Sequence, residues 1–338
     1  MTLAEPTSPT EVTKSAPEGH RRRTALLIVA KYGTLISMVI MIIIFSIAAP
    51  DGLFLRPANL LAILSQSALT AIIAGGVTLV LAAGEFDLSI GYTASLAGVL
   101  VTGLMSHQGL PISVAILLTI LAGATVGMAN GLLVAKAGVN AVVATLGVGT
   151  VVVGLSFGYS AGQPIVSLPA GFTAIALGRA VLGVPNLIWL MIIVLVILWV
   201  LLNRTPLGIR IQATGANRHA AALAGVRTDR AKISAFVIAG ACAAIAGTLL
   251  SSQLGSGMVS SGDGYLLDAF AAVFLGSATL RDGKFHILGT LIGVLIVNIG
   301  FNGLGLIGTP TFFQFVFKGG ILIFAVALAT IARRYARS

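Results

Sequence analysis

Ten apolar runs dominate this sequence, near residues 26–49, 59–83, 89–105, 111–135, 141–160, 186–203, 231–253, 266–280, 286–306 and 311–332. A helix needs roughly 20 apolar residues to cross a bilayer core of about 30 Å. Each run is therefore expected as a transmembrane helix, and the short one at 266–280 as a broken or tilted helix. Only 9% of residues are charged and the mean hydropathy is +1.05, whereas soluble domains carry about 25% charged residues. Such a chain cannot cover a water-facing surface. The expected fold class is an all-α, polytopic membrane protein.

The 20 Lys and Arg set the orientation. With the N-terminus inside, all of them except Arg56, Arg179 and Lys318 fall in or beside cytoplasmic segments. Both termini are then cytoplasmic by the positive-inside rule. The net charge of +10 needs no nucleic acid to explain it. Residues 1–24 are polar, end in "HRRR", and read as a disordered cytoplasmic tail; residues 25–338 form the membrane domain. The apolar stretch after the tail exceeds the 7–15 residues of a signal-peptide core, so it reads as an uncleaved first span.

The 41 glycines suit helices that approach closely in lipid. The lone Cys242 reads as a small core residue, the four histidines form no metal-spaced pair, and no phosphate-binding G-x-x-x-x-G-K-[ST] motif is present. The segments "AGATVGMANGLL" (122–133) and "AGACAAIAGTLL" (239–250) share six of twelve positions. They lie on spans of opposite direction, so an inverted repeat is one reading; chance similarity of small-residue packing faces is the other.

Three stretches carry polar groups that a membrane protein does not place idly. In "LAAGEFDLSIGYTASLAGVL" (81–100), Glu85 and Asp87 interrupt an apolar run. A charge there must cap a helix, pair, or face water. Gly84 and Gly91 make a helix break plausible, with Asp87 or Ser89 capping the next helix at a water-reached cytoplasmic end. A direct role in the solute pathway or its gate is the other reading. The one long cytoplasmic loop, 203–232, contains "GANRHAAALAG". Asn217 reads as an N-cap and Gly225 as a stop, framing a short helix that is either a connector or a docking element for a soluble partner. In 262–308, Asp268 opens a span, where a carboxylate complements the helix dipole. Asn298 and Asn302 share a face at i,i+4; they either join helices or line a wet path for a polar solute.

These residues resemble a known family. "GEFDLSIG" is similar to the G-G-I-D-L-S-V-G signature of the permease subunit of bacterial monosaccharide importers, the ribose-type ABC permeases. "ATGANRHAAALAGV" resembles that family's cytoplasmic G-G-N-x-x-A-A-x-L-S-G-I segment, and "GYLLDAFAAVFLGSATL" with "GTLIGVLIVNIGFNGLGLIG" its C-terminal signature. The resemblance covers roughly residues 59–330. It departs at Glu85, Ala216 and Ser277, where glycines are common, and at His219 and Ala222, where Glu and Arg are frequent.

The resemblance implies a second permease copy, a separate ABC ATPase subunit that binds the ATP, an extracytoplasmic sugar-binding protein, and a place in the bacterial inner membrane. The resemblance assigns this chain no cofactor, metal or catalytic residue. Glu85, Asp87, Ser89, Asp268, Asn298 and Asn302 are then candidates for the pathway or its gate, and Gly215, Asn217, Arg218, Leu223 and Gly225 for ATPase coupling. Permeases for nucleosides or branched-chain amino acids, and ion-coupled secondary transporters, are the alternatives.

Overall fold

A computed structural model describes residues 34–277 and 283–335, with side chains in the last helix described as far as Ile323. The expected tail, residues 1–24, lies outside the described residues. The described residues are helical almost throughout, and among them two isolated bridges, Ile165 with Gly257 and Val181 with Val184, stand outside the helices. The helices are α1 (Thr34–Ala48), α2 (Pro57–Ala82), α3 (Ile90–Ser106), α4 (Ile112–Ala135), α5 (Ala141–Ser160), α6 (Phe172–Leu177), α7 (Asn186–Arg204), α8 (Pro206–Ala216), α9 (Arg218–Leu223), α10 (Thr228–Leu254), α11 (Tyr265–Ser277), α12 (Ile287–Leu306) and α13 (Thr311–Tyr335).

Their starts follow from local chemistry. Pro57 and Pro206 sit at the first helical positions of α2 and α8, where a missing N–H costs nothing. Asn140 caps α5 by accepting from the Val142 and Val143 amides. His286 Nδ1 does the same for α12, accepting from Gly289 at 2.9 Å.

Among the described residues, six helices are long and apolar enough to cross a membrane: α2, α4, α5, α7, α10 and α12. The other expected spans coincide with shorter apolar helices, α1, α3, α11 and the first part of α13. For α3 the cause is the break at residues 83–89. For α11 it is residues 256–264, which are not helical and run back along α3. Gly257 packs on Gly98 and Thr102, whereas Gly262 packs on Gly91 and Ser95. That path descends roughly 10 Å at 1.5 Å per residue, so α11 starts within the bundle. Non-helical backbone survives at such depth only when protein encloses it or it lines a wet cavity.

Helices α2 and α10 form the centre, each with 67% of its membrane-length window buried, against 22% for α4 and 33% for α5 and α7. Every residue of α2 from Ser67 to Leu81 is buried, as expected of a helix apolar all round. The outer helices instead turn Leu117, Leu121, Val143, Val151, Ile193 and Val196 outward, which suits contact with lipid tails.

The two echoing sequence segments pack on each other. Gly123, Gly127 and Gly131 of α4 form a small-residue stripe facing Gly240, Phe236 and Ile233 of the antiparallel α10. A Cβ on Gly127 would lie 2.7 Å from the Phe236 carbonyl carbon, so backbone meets backbone here. Gly123 faces Ala244, and the equivalent pair under the echo, Gly240 with Gly127, is also in contact. The likeness of the segments thus marks a shared packing surface.

Candidate functional site

The break after α2 is built by glycine. Gly84 has φ +84°; its N–H bonds to Leu81 O and the Glu85 N–H to Val80 O, a terminating motif that requires the left-handed conformation. Beyond it the two acids part. Glu85 forms an ion pair with Lys232 in the first turns of α10, with side-chain exposures of 18% and 7%. Asp87 is only 1% exposed. Its Oδ1 accepts the Ser89 N–H at 2.9 Å and the Ser89 hydroxyl at 2.6 Å.

Two expectations are corrected here. Neither Asp87 nor Ser89 caps α3 through its side chain: Ser89 stands at the N-cap position without a capping bond, and Asp87 spends its acceptor on the turn before the helix. Nor is Asp87 reached by water. Instead, Asn130 of α4 donates to Ser89 Oγ at 2.8 Å, and the Leu88 N–H donates to Thr145 Oγ1 of α5 at 3.0 Å. The break is therefore pinned to three neighbouring helices.

The long loop comes to the same place. Asn217 accepts from the Ala220 N–H at 3.0 Å, capping α9, and Gly225 at φ +80° ends it, as the sequence implied. Sequence reading missed α8, although Thr205 followed by Pro206 is a helix-start signal; Thr205 Oγ1 accepts from Gly208. Gly215 of α8 lies against the end of α2: a Cβ there would stand 2.9 Å from the Ala82 carbonyl carbon, and one on Gly84 3.3 Å from Gly215 Cα. Loop and break are thus one structure, closed by the Gly84–Gly215 contact and the Glu85–Lys232 pair. Leu223, 91% exposed, projects from α9. Arg218 pairs with Asp229 at 3.2 Å on the surface. Beside them a cavity of about 550 Å³ is lined by Arg210, Arg227 and Arg230.

Within the bundle, a cavity of about 330 Å³ opens where α11 begins, between α2, α10, α12 and α13. Gln66, Gln253, Asp268, Asn298, Phe301 and Lys318 line it. Asp268 is in the first turn of α11 as expected, and it pairs with Lys318 Nζ at 2.6 Å, a partner the sequence did not reveal. Lys318 also donates to Gly264 O at 3.2 Å and stands 5.7 Å from the Phe301 ring centroid. The two asparagines separate. Asn302 exchanges amide hydrogen bonds with Asn59 at 2.9 and 3.0 Å, joining α12 to α2. Asn298 donates to Val294 O and borders the cavity.

Comparison with known proteins bears on these features together. The family described as branched-chain amino acid transport system / permease component matches residues 59–326. The chain belongs to this permease family. It is 41% identical to the ribose import permease protein RbsC of Bacillus subtilis (strain 168), over 89% of this chain and 93% of that protein. It is 37% identical to RbsC of Haemophilus influenzae, covering 86% and 90% respectively. The L-arabinose ABC transporter permease protein AraH of Azospirillum brasilense is 32% identical over 98% of this chain and 96% of its own length. No solved structure matches the chain. The permease is a multi-pass membrane protein.

Proposed function

We propose that this permease is the membrane subunit of an ATP-driven importer of a neutral monosaccharide in the bacterial inner membrane. Two copies form the pathway, a separate ATPase lies on the cytoplasmic side, and an extracytoplasmic sugar-binding protein delivers the solute. The chain makes and breaks no bonds and carries no ATP. It supplies inward- and outward-open states whose balance the two partners shift. The observation that carries the reading is identity of 31–41%, across nearly the whole chain, to permeases named for ribose, L-arabinose, D-allose and galactose. The family description names amino acids, but a sugar fits the close relatives better.

In this reading the chain spans the membrane ten times with both termini cytoplasmic. Helix α9 docks on the ATPase through Leu223, and Arg210, Arg227 and Arg230 receive its acidic groups. The ion pair and glycine contact carry the resulting movement to the break at Glu85–Ser89, which gates α3. Asp268 and Asn298 line the solute path, whereas Asn302 holds α12 in place.

The decisive experiment reconstitutes the permease with its ATPase and binding protein and compares uptake of labelled pentoses, hexoses, nucleosides and leucine. ATP-dependent sugar uptake is expected. Leucine uptake without sugar uptake, or uptake abolished by an uncoupler and indifferent to ATP, would sink the proposal.

Two further outcomes follow. A cysteine replacing Leu182, 88% exposed between α6 and α7, should react with an impermeant thiol reagent added outside intact cells, and one replacing Leu223 should not. The reverse pattern would invert the topology. Leu223→Asp should uncouple ATP hydrolysis from uptake while the permease still accumulates in the membrane. Asn217→Ala, which loses only a cap of about 1 kcal/mol, should be milder. Normal transport by Leu223→Asp would reduce α9 to a connector.

A further inference from the structure

We propose that the cavity at the start of α11 is a seat for one neutral monosaccharide, with the Asp268–Lys318 pair as its polar anchor and Phe301 as its apolar wall. The inference rests on the importer reading above and names the groups that meet the solute.

Four observations point to it. First, α11 begins inside the bundle after the non-helical stretch 256–264, so its first-turn amides and Asp268 face interior space. Discontinuous helices of this kind form binding sites in transporters. Second, the anchor is a charge pair within the bundle, with side-chain exposures of 18% for Asp268 and 15% for Lys318. Ionisable groups at such depth are functional candidates by default, and this pair retains surface toward the cavity. Third, the half-buried Gln253 has no side-chain hydrogen bond among the described residues and offers both donors and acceptors to this space, which the exposed Gln66 also borders. Fourth, the cavity of about 330 Å³ lies at the small end of the roughly 300–1,000 Å³ range of ligand sites, enough for one sugar ring.

The chemistry selects the ligand. Aspartate accepts from hydroxyls, lysine donates to them, and adjacent hydroxyls on a ring can engage both at once. The amides complete the set, and the Phe301 ring offers a face to the C–H side of the sugar. Asp268 and Lys318 neutralise each other, so a solute with net charge would find no counter-charge here. A purely mechanical tie between α11 and α13 would account for the pair but not for the half-buried, unbonded amide of Gln253 beside it.

The test uses the full-length permease assembled with its ATPase in proteoliposomes and carrying Gln253→Cys. The native Cys242 is buried and leaves that site as the reporter. Labelling by a small thiol reagent is followed with D-ribose, D-glucose, D-galactose or leucine present. At least one of the sugars is expected to slow labelling severalfold, with no effect at a control cysteine placed at the exposed Gln163. In the complete importer, Asn298→Leu and Phe301→Leu should lower sugar uptake by about tenfold, equivalent to 1.4 kcal/mol, while both variants still accumulate in the membrane. Sugar import by the wild type with no protection at Gln253→Cys, or unchanged uptake in both variants, would overturn the seat and leave the importer reading standing. Protection by leucine and by none of the sugars would overturn both.

Discussion

Lys232→Met should sharply reduce the amount of folded permease, and adding Glu85→Met should restore most of it. The pair is largely withdrawn from water, at 7% and 18% exposure. Removing one partner strands the other as a bare charge, a loss of about 3–5 kcal/mol, whereas replacing both with apolar groups of similar volume is often neutral. The measurement is the fraction of protein surviving detergent extraction and heating as a monodisperse peak. A double variant as unstable as Lys232→Met would show that packing of the lysine stem, not the charge pair, holds this end together. A double variant that folds yet no longer couples ATP hydrolysis to uptake would assign the pair its mechanical part.

The α4–α10 contact should be still less forgiving. Gly127→Leu is expected to abolish accumulation of the folded protein, and Gly127→Ala to cost about 1–3 kcal/mol, the usual range for overpacking. The reason is that a Cβ at Gly127 meets carbonyl and Cα atoms of Phe236 and Val237 rather than a side chain that could turn away. Gly154→Leu on α5 is the control, since a Cβ there meets nothing within 4 Å. Equal tolerance of the two leucines would mean that the helices can part without penalty.

Part of the architecture was legible because lipid imposes a length rule: among the described residues six of the ten apolar runs are helices that meet it, and the other four coincide with shorter apolar helices. Helix ends were legible where a residue serves its own helix, as Asn217 does with its side chain and Gly225 with its left-handed backbone. Pairings were not. Lys232 lies 147 residues from Glu85, and nothing local to either announces the other; the same holds for Asp268 and Lys318. Asp87 misled because a helix start after an acid suggests a cap, whereas the hydroxyl and amide of Ser89 compete for that carboxylate. Asn298 and Asn302 share a helix face yet act differently, since only Asn302 finds Asn59 opposite. Helix α8 was hidden by the charged loop around it, despite its Thr-Pro start.

The burial of α2 also dictates when the protein can assemble. Synthesis runs from the N-terminus, so α2 enters the bilayer before α7, α10, α11 and α12, the neighbours that pack against it. Until they arrive, Thr70 and Thr78 face lipid rather than protein. Thr78 Oγ1 ends 2.7 Å from Thr290 Oγ1, 212 residues further along the chain, a wait of roughly 10–40 s at about 5–20 residues per second. A ribosome stalled before α7 therefore leaves a chain that is inserted but unpacked, with its middle helix exposed to whatever quality-control protease patrols the membrane.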